Sequence, residues 1–105
     1  MITNAPHSID SEEAVIGSLL LDGSCIDVIK EIVTLDDFYH ETNRFLYSAC
    51  LELSGRHTPI DQITLATELN RQGKLDSCGG AAFLSHLISN CPTSIDADHY
   101  ADIVH

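Results

Sequence analysis

Pro59-Ile60-Asp61-Gln62-Ile63-Thr64-Leu65-Ala66-Thr67-Glu68-Leu69-Asn70-Arg71-Gln72-Gly73, running on through Lys74-Leu75-Asp76 to Gly79-Gly80, carries a full set of helix punctuation. Pro59 discourages helix at Thr58, because its ring crowds the preceding residue. Asp61 is a good N-cap, its side-chain oxygen able to accept from a free amide of the first turn. Leu65, Ala66 and Leu69 recur at helical spacing, which predicts one apolar face, with Thr64, Thr67, Glu68 and Arg71 left wet. Gly73 stands where a left-handed residue closes a helix. Gly79-Gly80 breaks the chain again before Ala81-Ala82-Phe83-Leu84 opens a second apolar helix. The stretch is helix, turn and helix with no catalytic group at the joint, which is how scaffold reads.

The rest of the chain follows the same grammar. Residues 1–7 read as an extended lead-in. Ser8-Ile9-Asp10-Ser11-Glu12-Glu13 predicts a helix start, with a hydroxyl to cap and carboxylates near the positive end of the helix dipole. Ile9, Val15, Ile16, Leu19 and Leu20 continue it, Ala14, Gly17 and Ser18 form a small-residue patch on which another helix can lie close, and Asp22-Gly23 stops it. Ile26, Ile29, Ile32 and Val33 predict a short helix over about 25–33. Asp36-Asp37-Phe38-Tyr39 reads as a turn anchored by its rings. Thr42 is the expected cap of a third helix with Phe45, Leu46, Ala49, Cys50 and Leu53 on one face, ended by Gly55. After Asn90-Cys91-Pro92, Thr93-Ser94-Ile95-Asp96 resembles a capping box and starts a last helix with Tyr100, Ile103 and Val104 as its apolar positions. That helix runs to His105 without terminal punctuation, which reads as a chain cut from something longer. Six helices and no convincing strand predict an all-α fold, a small orthogonal helical bundle.

Composition narrows the function. The chain has 105 residues, 44% hydrophobic and 20% charged, which suits one soluble domain. No apolar run approaches the roughly 20 residues of a membrane span, and the N-terminus lacks the pattern of a signal peptide, so the expected location is the cytoplasm. Five basic residues against sixteen acidic ones leave a net charge of −11. Nucleic-acid binding rests on neutralising phosphates with Lys and Arg, so this surface repels DNA and better suits a basic protein partner. Cys25, Cys50, Cys78 and Cys91 form no Cys-x-x-Cys pair and read as reduced, mostly buried thiols.

Motifs for chemistry are missing. Gly79-Gly80 has neither the Lys nor the preceding strand of a phosphate loop. Cys78, His86 and Cys91 are the nearest candidate metal cluster, but their spacing matches no standard zinc module. No cysteine lies in the electropositive setting a reactive thiolate needs. Glu12-Glu13 and Asp36-Asp37 are sequence neighbours that point about 100° apart on a helix, so they read as dipole complements or a solvated face. The residues therefore predict no catalytic, cofactor-binding or metal-ligating group. What remains is surface. Phe38, Tyr39, Tyr47, Leu51, Phe83, Tyr100 and Val104 are more than a small bundle easily buries, and aromatic residues are enriched where partners bind. The candidate partner contacts are Phe83, Tyr47 and Tyr100. Phe83 leads, an aromatic just past a double-glycine turn, with a core position as its competing reading.

Pro6-His7-Ser8-Ile9-Asp10-Ser11-Glu12-Glu13-Ala14-Val15-Ile16-Gly17-Ser18-Leu19-Leu20-Leu21-Asp22 resembles the opening of the N-terminal domain of bacterial replicative hexameric helicases, the DnaB family. Asp37-Phe38-Tyr39, the stretch from Pro59 to Gly80, Asn90-Cys91-Pro92 and Tyr100-Ala101-Asp102-Ile103-Val104 resemble later markers in the same order. Cys91 departs from the pattern, since such helicases often carry Thr there. The resemblance implies that residues 8–105 are a helical module preceding a linker and a RecA-like ATPase domain absent from this chain. It implies a collar of dimers on a hexamer, binding of the primase C-terminal domain, and a helicase loader as a candidate further partner. ATP, Mg and DNA are then handled by the parent helicase, not by this domain. Because family dimerisation relies on a helical hairpin beyond this point, the resemblance implies a monomer or weak dimer for a chain ending at 105. Two alternatives stand beside it: the helicase-binding domain of a primase, whose fold is similar, and a small metal or thiol enzyme using Cys78, His86 and Cys91.

Overall fold

The computed structural model describes residues 9–91 and 96–105. Six α-helices make up the fold: α1 (Ile9–Leu21), α2 (Ile26–Ile32), α3 (Glu41–Gly55), α4 (Gln62–Arg71), α5 (Gly80–Ser89) and α6 (Ala97–Val104), with no strand among the described residues. The all-α expectation therefore holds. The expected lead-in over 1–7, the Ser8 cap and the residues Pro92 to Ile95 lie outside the described residues. Helix α1 is the hub, packing against α6, α5 and α3, while α4 packs on α3 and α5. Val15, Ile16 and Leu19 from α1 meet Leu46, Leu53, Leu65, Leu69, Leu84 and Leu87 in one continuous core.

Local signals set most helix ends. Asp61 accepts from Thr64 N–H at 2.8 Å, and Thr64 Oγ1 accepts from Asp61 N–H at 2.9 Å, a reciprocal cap that satisfies two amides with no helical partner. At the other end Gly73 takes φ +73. Gly73 N–H then donates to Asn70 O and Lys74 N–H to Leu69 O, the paired closure of a Schellman motif. The small-residue patch on α1 is used as expected. A Cβ on Gly17 would stand 2.8 Å from both Leu87 O and Cys91 Cβ, and Cys91 Sγ reaches Ala14 O at 3.7 Å and Ser18 Oγ at 3.6 Å. The end of α5 lies directly on the patch, and Cys91 has a hydrogen-bonding place there.

Elsewhere the structure corrects the expectations. Thr42 does not cap α3; it lies inside the first turn, and His40 holds the N-cap position without a side-chain cap bond. The backbone there is secured by Glu12 instead. Helix α3 does end at Gly55, but the left-handed residue that closes it is His57, at φ +57. Thr58 N–H bonds to Leu53 O and His57 N–H to Ser54 O, the same paired closure as at Gly73. A side chain in that conformation costs about 1–2 kcal/mol. We predict that His57→Gly raises stability by about 0.5–1 kcal/mol, once the greater freedom of unfolded Gly is subtracted. In a calorimetric scan that is a rise of roughly 3–6 °C. On α6 the buried positions are Ala97 and Ala101, with Tyr100 and Val104 half-buried; Ile103 faces out.

Glu68 is the largest correction. Expected to be wet, it is 2% exposed. Its two oxygens accept from Arg71 Nη2 at 2.6 Å and Nε at 3.1 Å, from Gln72 Nε2 at 2.6 Å, and from Arg56 Nη2. The Arg71 hydrogen bonds hold its carboxyl down to about 2 against the opposing effect of burial, helped by Gln72 and Arg56. A depressed carboxylate contributes stability above its unfolded value near 4.5, and that contribution fades as pH falls from 4.5 toward 2. Both arginines are half-exposed and can rehydrate when the acid is removed. We therefore expect Glu68→Gln to cost only about 1–2 kcal/mol at pH 7. The gap to wild type should shrink by more than half at pH 3 in urea titrations; a gap independent of pH would refute the ionic account.

Candidate partner-binding surface

The three aromatic candidates part company in the structure. Tyr47 is fully buried. Its ring stacks on Phe38 with centroids 4.7 Å apart, and its hydroxyl donates to Val33 O at 3.0 Å. Burial pushes that phenol up to about 12, with the neighbouring Cys50 and Asp37 adding to the rise. Tyr47 is thus a core residue that fixes the segment after α2, and no partner reaches it in the folded domain. Tyr100 is half-buried on α6, its ring 6.0 Å from that of His99. Phe83 is half-buried in the first turn of α5. These residues do not form one patch, since α6 packs on α1 and α2 while α5 packs on α1 and α4.

Phe83 sits at a built corner. The turn before it has Gly79 at φ +95 and Gly80 at φ +71, and Gly80 N–H closes it by donating to Leu75 O at 2.9 Å. A Cβ on Gly79 would come within 2.8 Å of Phe83 Cβ and 3.2 Å of Cγ. The glycine thus meets two demands, the left-handed backbone and the approach of the ring. Phe83 stacks on His86 one turn along α5, centroids 6.0 Å apart. One face of the ring packs against the core, and the residue also lines an open depression of about 350 Å³. Glu13 of α1, His40, Thr42 and Asn43 around the start of α3, and Ser77, Cys78 and Gly79 of the turn complete that lining.

The side of the depression near α3 is held from below by Glu12. Its Oε2 accepts from Tyr39 N–H at 2.8 Å, and its Oε1 accepts from His40 N–H at 3.3 Å and Asn43 Nδ2 at 3.0 Å. Glu12 and Asn43 are both buried. Because the backbone at 39–40 is pinned, the Tyr39 ring projects outward, 62% exposed, with the His40 ring 6.3 Å away at an edge-on angle. Tyr39 is therefore an exposed aromatic that the sequence reading placed only in a general surplus. Its neighbour Phe38 takes the core position, and alternation in an extended segment turns adjacent side chains to opposite sides.

The candidate metal or thiol residues do not converge. No group of three His, Cys, Asp or Glu side chains among the described residues is arranged to hold a metal ion. Cys78 is buried, and burial pushes its thiol upward, which works against a reactive thiolate. His86 is exposed and bonded to Asn90 Nδ2 at 2.9 Å. Cys50, also buried, is pushed up to about 12, first by burial and then by Cys25. No described helix is long and apolar enough to cross a membrane. The site can recognise; it has no group placed for bond-making.

Comparison with known proteins agrees with this architecture. The family described as DnaB-like helicase N-terminal domain matches residues 4–105. Replicative DNA helicase DnaB of Mycobacterium leprae is 40% identical over 99 residues, which is 94% of this chain and 16% of that protein. Replicative DNA helicase DnaC of Bacillus subtilis is 33% identical over 94% of this chain and 22% of its own length, and DnaB of Haemophilus influenzae is 40% identical over 94% and 21%. The chain thus spans about a fifth of the length of these relatives. The crystal structure of the N-terminal domain of DnaB helicase from Mycobacterium tuberculosis superimposes with a TM-score of 0.92 at 40% identity, covering 96% of this chain and 70% of that one. By sequence along nearly its whole length and by fold, the chain belongs to the family of DnaB-like helicase N-terminal domains.

Proposed function

We propose that residues 8–105 act as the protein-interaction collar module of a hexameric replicative DNA helicase, supporting hexamer assembly and binding the primase C-terminal domain during DNA replication. The observation that carries the reading is a family match along nearly the whole chain, joined to a recognition corner with no catalytic apparatus. ATP and Mg chemistry and DNA translocation then belong to a RecA-like domain joined through a linker in the parent protein, with DNA engaged by the assembled hexamer in the cytoplasm. Phe83 and Tyr39, on the corner between α5 and the start of α3, are the contacts proposed for primase. Tyr100, on α6, lies on a separate face better suited to other helicase subunits or a helicase loader.

Titration of the chain with the cognate primase C-terminal domain, followed by calorimetry at low salt, tests this. Tyr39→Ala should weaken binding roughly tenfold, as expected for an exposed aromatic anchor, and leave the melting temperature unchanged. Phe83→Ala should weaken binding as well. A loss of stability near 3 kcal/mol with binding retained would instead make Phe83 a core residue. Absence of binding both to this chain and to the parent hexamer would remove the primase role.

A further inference from the structure

Charge is distributed unevenly over this chain. Residues 56–72 hold two basic residues, Arg56 and Arg71, and two acidic ones, Asp61 and Glu68, so this segment is neutral and the rest of the chain carries the whole −11. Within the neutral segment Glu68 is buried, whereas the Arg56 and Arg71 side chains are 44% and 60% exposed. The outer edges of both guanidiniums therefore face solvent. Beside them stands Ile63, 78% exposed, the most exposed large hydrophobic residue among those described. Ile63, Leu53 and Thr67 line a shallow pocket of about 190 Å³, with Arg56 and Glu68 at its rim.

A complementary surface exists on the same molecule. Helix α6 packs on α1 and α2, and α4 packs on α3 and α5, so α4 and the α2/α6 pair occupy different sides of the bundle. The α2/α6 side exposes Asp27, Glu31, Asp98 and Asp102 together with Val28 and Ile103. Lys30 is its basic residue, paired with Asp27 at 3.5 Å. An apolar side chain flanked by carboxylates on one copy matches an apolar pocket flanked by guanidiniums on another. Any other approach of two copies brings acidic surface against acidic surface.

We propose that the α4 face, centred on Ile63, docks the α2/α6 face of a second copy of this chain in a head-to-tail contact. The proposal rests on the collar reading for its setting, but its geometry comes from the two faces alone. Such a contact uses two different patches, so it propagates from copy to copy and closes into a ring or runs on as a chain. Arg56 and Arg71 would accept the carboxylates of α6 while Ile103 or Val28 enters the pocket beside Ile63.

The test is sedimentation equilibrium of the 105-residue chain at concentrations up to about 1 mM, in roughly 0.15 M salt, where repulsion between whole molecules is screened beyond about 8 Å. Wild type should show concentration-dependent association beyond the dimer. Ile63→Asp removes one patch and Ile103→Asp the other; both positions are exposed, so both variants should fold, checked by unchanged melting temperature. Each alone should associate at least tenfold more weakly. Mixed in equal amounts, they should recover a 1:1 dimer, because one intact α4 face meets one intact α2/α6 face. A wild type that stays monomeric, an Ile103→Asp that associates like wild type, or a mixture that gains nothing each overturns the contact. The primase titration reads out separately, so primase binding without self-association would discard this interface and leave the collar reading in place.

Discussion

Replacing Glu12 by Ala should lower the unfolding free energy by about 3–4 kcal/mol, seen as a fall of roughly 15 °C or more in melting temperature. The reason is what the side chain leaves behind. Two backbone N–H groups, of Tyr39 and His40, and the Asn43 amide lose their acceptor in a place where Glu12 and Asn43 are both buried. Each orphaned buried donor costs about 1–3 kcal/mol, less where the backbone at 39–40 can turn to water. Glu12→Gln should recover only part of this, because both oxygens accept and one becomes an amide nitrogen facing an N–H. The Tyr39 and His40 amides should then exchange with solvent much faster in hydrogen exchange. If Glu12 merely complemented the α1 dipole, Glu12→Gln would cost no more than about 1 kcal/mol. Such a small loss, with exchange unchanged, would sink the account. Since the same pin orients Tyr39, the variant should also weaken any primase binding made through that ring.

Gly17→Val is expected to destabilise by about 3 kcal/mol, at the upper end of overpacking costs. Helix propensity alone predicts the opposite, since Gly inside a helix is worse than Ala by about 0.5–1 kcal/mol. Packing outweighs propensity here because a Cβ would meet the Leu87 carbonyl oxygen and Cys91 Cβ at 2.8 Å. A backbone oxygen cannot rotate away as a flexible side chain can, so α5 must move off α1. Gly17→Ala should already be destabilising for the same reason, by a smaller amount. Gly55 supplies the control, because nothing lies within 4 Å of its would-be Cβ, and Gly55→Ala should stay within about 0.5 kcal/mol of wild type. Urea unfolding of the three variants decides it. A neutral Gly17→Val would mean that α5 does not lie on α1 as described.

What the sequence determined by itself lies at the scale of one turn. Asp61 and Thr64 cap each other across three residues, Gly73 closes α4, and Gly79-Gly80 opens α5, all through interactions within a few residues. Helical spacing located Leu65, Leu69, Leu84 and Leu87 in the core, and the Ala14-Gly17-Ser18 patch foretold a close neighbour. Family membership was legible for the same reason, because it is carried by these ordered local markers.

Tertiary structure alone decided which polar groups are buried and which rings are free. Glu12 and Glu68 look like solvated helix residues in sequence. Their burial depends on donors 27–31 residues away in the one case, and on Arg56, twelve residues back, joining local Arg71 and Gln72 in the other. Phe38 and Tyr39 are adjacent and chemically alike, yet one stacks on Tyr47 and the other meets solvent, because the Glu12 pin sets the direction of the backbone between them. His57 took the left-handed position in place of the nearby Gly55 because the path from α3 into α4 required the turn two residues later. Sequence periodicity reports how much apolar surface a helix must hide. Only the packed partners determine which carboxylate joins it inside and which aromatic is left to meet another protein.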